Sequence, residues 1–256
     1  MKQMMKSILN LMAVTAMLFT LQGTAFADGA KRVLIMMSSE SAMGISGKVT
    51  GTWFEEVATP YYTLRESGYE VVMASLEGGN APIDLLSMQA PFTTKNTERF
   101  AKDPVAMHAL QNTNKLSEIN YQDFDAVFFP GGYGLLWDLA SDSLTIKMIE
   151  DFFAAGKPIA MVCHAPAILR DAKKANGEPL VKGLNVTGFM NAEDDELDLS
   201  RHLLFSLEDM LKANGANYKG TKKNWEAHIQ IDGPLMTGQN PASAPVLAEA
   251  LAKKLQ

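Results

Sequence analysis

Cysteine is nearly missing from this chain: Cys163 is the single one in 256 residues. One thiol cannot close an internal disulfide, so the fold has to stand without staples. Histidine is almost as scarce, with four residues. His108, His202 and His228 are scattered and lack a ligand partner at i+4, so no metal site emerges. There is no GxGxxG and no GxxxxGK[ST], hence no sign of a nucleotide cofactor, and no other cofactor is expected. The lysine pairs Lys173-Lys174, Lys222-Lys223 and Lys253-Lys254 read as solvated faces. With a net charge of −6 they do not make a surface for nucleic acid or anionic membrane. Internal repeats, low-complexity segments and Pro/Ser-rich linkers are also missing, which excludes solenoids and disordered tails.

What is present begins with Lys2 and Lys6, an apolar run from Ile8 to Leu21, and Ala25-Phe26-Ala27. That order of charge, apolar core and A-x-A site describes a cleaved secretory signal over 1–27, too short and wrongly flanked for a stable membrane span. The mature protein is then expected to start near Asp28, to be exported, and to be periplasmic in a Gram-negative source. Cleavage removes two lysines and no acid, taking the net charge from −6 to −8. The rest of a chain that is 47% apolar can bury one large core, so 28–256 reads as a single domain.

Short continuous apolar runs recur along it. Lys31–Ser38 reads as a strand covered on both faces and Tyr69–Ala74 as the second strand, with a helix over Thr52–Ser67 between them, kinked by Pro60 and stopped at Gly68. From Ser75 to Asn120 the chain is polar and irregular, with a helical pattern around Val105–Leu116, and reads as an excursion covering an edge or an active-site mouth. Phe124–Pro130 is a strand running into Gly131-Gly132-Tyr133-Gly134. A helix over Ser143–Ala155 leads to a strand at Pro158–Val162. Further on come a strand at Leu184–Phe189, a helix over Ser200–Asn214, a strand or hairpin around Asp232-Gly233, and a last helix capped by Ser243. This alternation predicts an α/β fold: a mainly parallel, doubly wound sheet with helices on both faces.

In such sheets ligands bind at the carboxyl ends of the strands, and the strand Pro158–Val162 ends at Cys163. In AMVCHAPA the thiol sits between an apolar run and a helical stretch, with small Ala165 and Ala167 where a sharp turn needs room. A helix N-terminus there would favour the thiolate. Position alone leaves two readings open, a reactive nucleophile and a small inert core residue. His164 next to it adds a base or a paired cation. Gly131-Gly132 could supply N–H groups to an oxyanion, or be a plain turn.

Five segments in register, TGTWFEEVATPYYTLRESGYEV, FDAVFFPGGYGLLWDLA, GKPIAMVCHAPAIL, VTGFMNAEDDE and MTGQNPASA, resemble the ThiJ/PfpI superfamily, which is related to class I glutamine amidotransferase domains. Within it they are most similar to the branch of heat-shock chaperones with glutathione-independent glyoxalase activity. The resemblance implies a flavodoxin-like, class I glutamine amidotransferase-like fold. It implies a nucleophile at Cys163, its histidine at His164, an acid partner at Glu56 with Glu55 the alternative, and a third triad member at Asp194 with Glu193 the alternative. Glu56, between apolar neighbours, could then donate a hydrogen bond to sulfur and shuttle a proton, the other reading being a solvated helix face. Asp194, in an acidic run with Glu193, Asp195 and Glu196, could orient His164 or lie exposed. It also implies an oxyanion loop at Gly131 and Gly132, a small carbonyl substrate such as methylglyoxal, and a homodimer. Rival functions on the same site are a holdase chaperone, a thiol redox sensor, and a peptidase or amidase; glutamine amidotransfer is disfavoured because the histidine adjoins the cysteine. One departure stands out: many relatives carry GGHG in the loop where this chain has Tyr133, a poor base at neutral pH.

Overall fold

The computed structural model describes residues 29–256, so the signal expected at 1–27 lies outside the described residues. Strand β1 (Arg32–Met37) is buried on both faces from Val33 onward, as its unbroken apolar run requires of a central parallel strand. Helix α1 (Glu55–Glu66) returns the chain to β2 (Glu70–Ser75), parallel to β1. The excursion that follows carries α2 (Lys95–Lys102) and α3 (Pro104–Gln111) and ends in the two-residue edge strand β3 (Asn114–Lys115). The chain then crosses to the other side of β1 as β4 (Ala126–Phe129). It continues through α4 (Ser143–Ala154) to β5 (Ile159–Val162).

The last third supplies β6 (Asn185–Val186), α5 (Asn191–Glu196), α6 (Leu207–Ala213) and β7 (Asn217–Tyr218). The hairpin of β8 (Ile229–Asp232) and β9 (Leu235–Gly238) and the helix α7 (Ala244–Lys254) complete it. The main sheet runs β3-β2-β1-β4-β5-β9-β8, parallel except for β8, and helices cover both sides, so the doubly wound expectation holds. Because the chain first works outward from β1 to β3 and then jumps back to β4, the connection order reverses between β1 and β4. The carboxyl ends of β4 and its neighbour β5 lie beside that switch point.

Four local expectations need correction. The helix expected from Thr52 starts at Glu55, because the Thr52 backbone is taken up on both sides, its N–H by the Pro82 carbonyl and its C=O by the Asp84 N–H. The strand expected over Leu184–Phe189 shrinks to β6, which pairs only with β7 in a separate two-stranded sheet. The helix expected over Ser200–Asn214 splits into a short 3-10 turn, Ser200–His202, and α6. The Ser206 hydroxyl accepts the Asp209 N–H and so starts a new helix in mid-run. Ser243 stands at the cap position of α7, but its oxygen accepts the N–H groups of His228 and Asn240 instead of one inside the helix.

Candidate active site

The site grows out of the end of β5. Four fully buried residues, Ile159 to Val162, deliver the chain to Cys163, whose φ of +62° is a left-handed conformation for a residue with a Cβ. The surroundings hold it there from both sides. The Cys163 N–H donates to the Gly238 carbonyl at the end of β9 (2.9 Å), and the Cys163 carbonyl accepts the Phe189 N–H (3.0 Å). The thiol is thereby turned off the sheet edge yet stays 4% exposed.

Sulfur then meets two proton carriers. His164 Nδ1 lies 3.4 Å from Sγ, and His164 Nε2 lies 3.2 and 3.3 Å from the two carboxylate oxygens of Asp194, at the start of α5. A proton on Nε2 facing Asp194 leaves the Nδ1 lone pair towards sulfur, the arrangement of a base prepared to take a thiol proton. The Tyr133 hydroxyl donates to the same Asp194 oxygen (3.0 Å), and its ring and that of Phe189 flank the imidazole with centroids 4.3 and 4.4 Å away. Burial pushes the Tyr133 phenol up, so it acts as a donor and not as a base.

Glu56, in the first turn of α1, is fully buried on the other side of the thiol. Its Oε2 accepts the Gly131 N–H at 2.7 Å, while Oε1 has no partner at hydrogen-bond geometry and is the atom left to carry a proton beside sulfur. Burial raises this carboxyl to about 8, more than the Gly131 N–H and the nearby thiol lower it. Burial, and then the charge of Glu56, push the Cys163 thiol up as well; the N–H groups of Gly132 and His164, which bond the sulfur, work in the opposite direction without cancelling that rise. At neutral pH the pair therefore rests protonated, and the thiolate appears when His164 takes the proton.

A cavity of about 210 Å³ opens on this sulfur. It is lined by two aromatic pairs, Trp53 with Phe92 and Phe189 with Trp225, together with Gly132, Tyr133, Cys163 and His164. Among the described residues no group of three or more His, Cys, Asp or Glu is placed to hold a metal ion. Nor is any described helix long and apolar enough to cross a membrane.

The family model described as DJ-1/PfpI family matches residues 50–254. The chain belongs to the DJ-1/PfpI family. It is 32% identical over 222 residues to a glutathione-independent glyoxalase of Saccharomyces cerevisiae, covering 84% of this chain and 93% of that one. Its structure is similar to that of glyoxalase III from Candida albicans, with a TM-score of 0.80 and 29% identity over 87% of this chain and 96% of the other. It is also similar to the Rapid Encystment Protein of 24 kDa from Francisella tularensis, with a TM-score of 0.83 and 31% identity over 88% and 99% of the two chains.

The residues singled out in this DJ-1/PfpI chain by sequence do converge: Glu56, Gly131, Gly132, Tyr133, Cys163, His164 and Asp194 form one cluster. The two alternatives stand elsewhere. Glu55 accepts the hydroxyls of Thr59 and Thr94. Glu193 accepts the Met190 and Trp225 N–H groups and the side-chain amides of Gln239 and Asn240, tying the segments around 225 and 240 to α5.

Two expectations change. The Gly131 N–H is spent on Glu56, so the N–H groups of Gly132 and His164 are the ones aimed at sulfur. The stretch after Cys163 is a 3-10 helix, Ala165–Arg170, and whatever its N-terminus contributes does not outweigh burial. Gly131 and Gly132 are required for packing. A Cβ on Gly131 would lie 2.7 Å from that of Cys163, and one on Gly132, at φ +108°, would lie 2.1 Å from the Gly51 carbonyl oxygen. Gly132→Ala is expected to lower the free energy of unfolding by about 2–4 kcal/mol, read from urea denaturation. A change under about 0.5 kcal/mol would mean that the loop yields freely.

Sequence reasoning missed the aromatic walls. Trp53, Phe189 and Trp225 are each far apart in the chain, and only Trp53 and Phe189 fell within segments already singled out for other reasons.

Proposed function

We propose that this protein is a glutathione-independent glyoxalase that converts methylglyoxal to lactate. The observation that carries the reading is the pair of proton carriers at one sulfur, Glu56 and His164, beside a cavity that opens on it. The names of the yeast relative and the Candida structure support it. Hydrolysis by a cysteine needs one base; moving a proton between two adjacent carbons needs acids and bases at both.

In the proposed sequence, sulfur bonds to the aldehyde carbon as His164 takes the thiol proton, and the resulting alkoxide oxygen is protonated to a hemithioacetal. The Gly132 and His164 N–H groups lie against the oxygen while it carries charge. Removal of the proton on that carbon and delivery of a proton to the neighbouring carbonyl carbon oxidises the first and reduces the second, leaving a lactoyl thioester on Cys163. Glu56 and His164 share these transfers, and Asp194 stabilises the imidazolium. Water cleaves the thioester to lactate and free thiol, so neither external oxidant nor glutathione enters the balance.

The test is lactate formation from methylglyoxal by the purified protein in the absence of added thiol. A rate no higher than the uncatalysed one removes the proposal. The charge order of residues 1–27 supports export as part of the same reading. Protein recovered from a periplasmic fraction should have the intact mass of a chain starting near Asp28, and recovery of an uncut chain from the cytoplasm alone would count against export.

A further inference from the structure

The cavity is larger than methylglyoxal requires and its walls are of the wrong kind for so small and polar a molecule. An apolar cavity of about 150 Å³ takes up benzene. The one above Cys163 holds about 210 Å³. Methylglyoxal is smaller than benzene; an aryl oxoaldehyde is a benzene ring with a two-carbon reactive unit attached, which matches the larger volume.

The polar atoms of the lining are mostly engaged within the chain. The Asn240 amide donates to Glu193 and to the Glu226 carbonyl, and its oxygen accepts the Ser243 hydroxyl. The Trp225 indole N–H donates to Glu196, and the Tyr133 hydroxyl donates to Asp194. No lysine, arginine or carboxylate is among the lining residues. Beyond the reacting carbons, therefore, little is left to recognise a charge or a hydroxyl, and aromatic faces are what remain.

Those faces are ordered. From the triad outward, the Phe189 ring lies 4.4 Å from the His164 ring and 5.6 Å from Trp225; Trp53 and Phe92, which also line the cavity, meet edge to face at 5.2 Å. Trp225 is held with φ +67°, an outlying conformation for so bulky a residue. Two carboxylates fix it, Glu193 at its backbone N–H (2.8 Å) and Glu196 at its indole N–H (2.9 Å). A strained, doubly anchored tryptophan at the mouth is costly to keep unless its face is used.

We propose that the preferred substrates are 2-oxoaldehydes carrying an aryl or comparably bulky apolar group, the reactive unit at Cys163 and the ring against the aromatic lining of Phe189, Trp225, Trp53 and Phe92. This rests on the glyoxalase reading and deepens it. With phenylglyoxal the balance is unchanged: the aldehyde carbon is oxidised to a carboxylate, the ketone carbon is reduced to a carbinol, water supplies the oxygen, and mandelate leaves.

The experiment compares kcat/KM for mandelate from phenylglyoxal with that for lactate from methylglyoxal. Alongside it, calorimetry measures binding of 2-hydroxyacetophenone and hydroxyacetone to the Cys163→Ala protein. The expected ratio of kcat/KM is at least about tenfold in favour of phenylglyoxal, arising from KM, with a similar ratio in binding. Trp225→Ala should shrink both ratios several-fold. Turnover of methylglyoxal with no preference for phenylglyoxal would overturn the inference and leave the glyoxalase reading in place. Turnover of neither aldehyde would overturn that reading and the substrate class together. In that event tighter binding of the phenyl ketone would still locate an aryl pocket, and equal binding would remove the pocket too.

Discussion

Cys163→Ala is expected to bring lactate formation from methylglyoxal down by at least about 10³-fold, to the uncatalysed background, while the thermal midpoint moves by only a few degrees. The catalytic loss follows from the chemistry: without sulfur there is no hemithioacetal and no thioester, and no second thiol lines the cavity to replace it. The small structural effect follows from the packing. Alanine leaves the backbone bonds to Gly238 and Phe189 intact and deletes one atom, worth on the order of 1 kcal/mol as a small void. Cys163→Gly should be equally inactive but closer to wild type in stability, since glycine carries no penalty at φ +62°. Lactate assay and circular-dichroism melts on both variants check this; activity above a few per cent in either would end the role given to the thiol.

Glu56→Gln is expected to cost about 10²–10⁴-fold in kcat and to flatten the stability profile between pH 5 and 8. The carboxyl titrates near 4.5 in the unfolded chain and at about 8 in the folded one. Folding therefore favours its protonated form. The stabilisation is complete below pH 4.5, declines as the pH rises, and is gone above about 8. At roughly 1.4 kcal/mol per unit this is a loss of a few kcal/mol across the window. The raised Cys163 thiol extends the decline to higher pH in the same direction. Glutamine can still accept the Gly131 N–H but has no proton to lose, so urea midpoints measured at pH 5 and pH 8 should differ less in the variant. Parallel profiles in the two proteins would mean that Glu56 is ionised at neutral pH after all.

Much of this site could be read in the sequence because its strongest signals are local. The apolar runs before Gly131 and Cys163 announce buried strands, and the small residues after each announce turns at their ends. Glu56 and Asp194 needed the family resemblance to be chosen over Glu55 and Glu193, since adjacent carboxylates on one helix look alike until their partners are known. Other features were set by long-range contacts that leave no local pattern. Thr52 looked helical and was claimed by Pro82 and Asp84; the Gly131 N–H looked free and was claimed by Glu56. The helix run from Ser200 was broken by Ser206, a capping signal present in the sequence but outweighed there by the apolar periodicity. The thiolate expectation failed because burial, invisible in sequence, outweighs the N–H groups at the sulfur.

The bond from the Cys163 N–H to the Gly238 carbonyl also sets an order of assembly. Residues from near 56, 131, 163, 194 and 238 must all be docked before the nucleophile has its geometry, and the last of them arrives with β9, close to the end of the chain. Such distant pairings are slow to close. A chain made from its N-terminus therefore carries an untuned thiol from the making of Cys163 until β9 arrives, and truncation between Asp194 and Gly238 leaves a protein that has every catalytic side chain and no catalytic site.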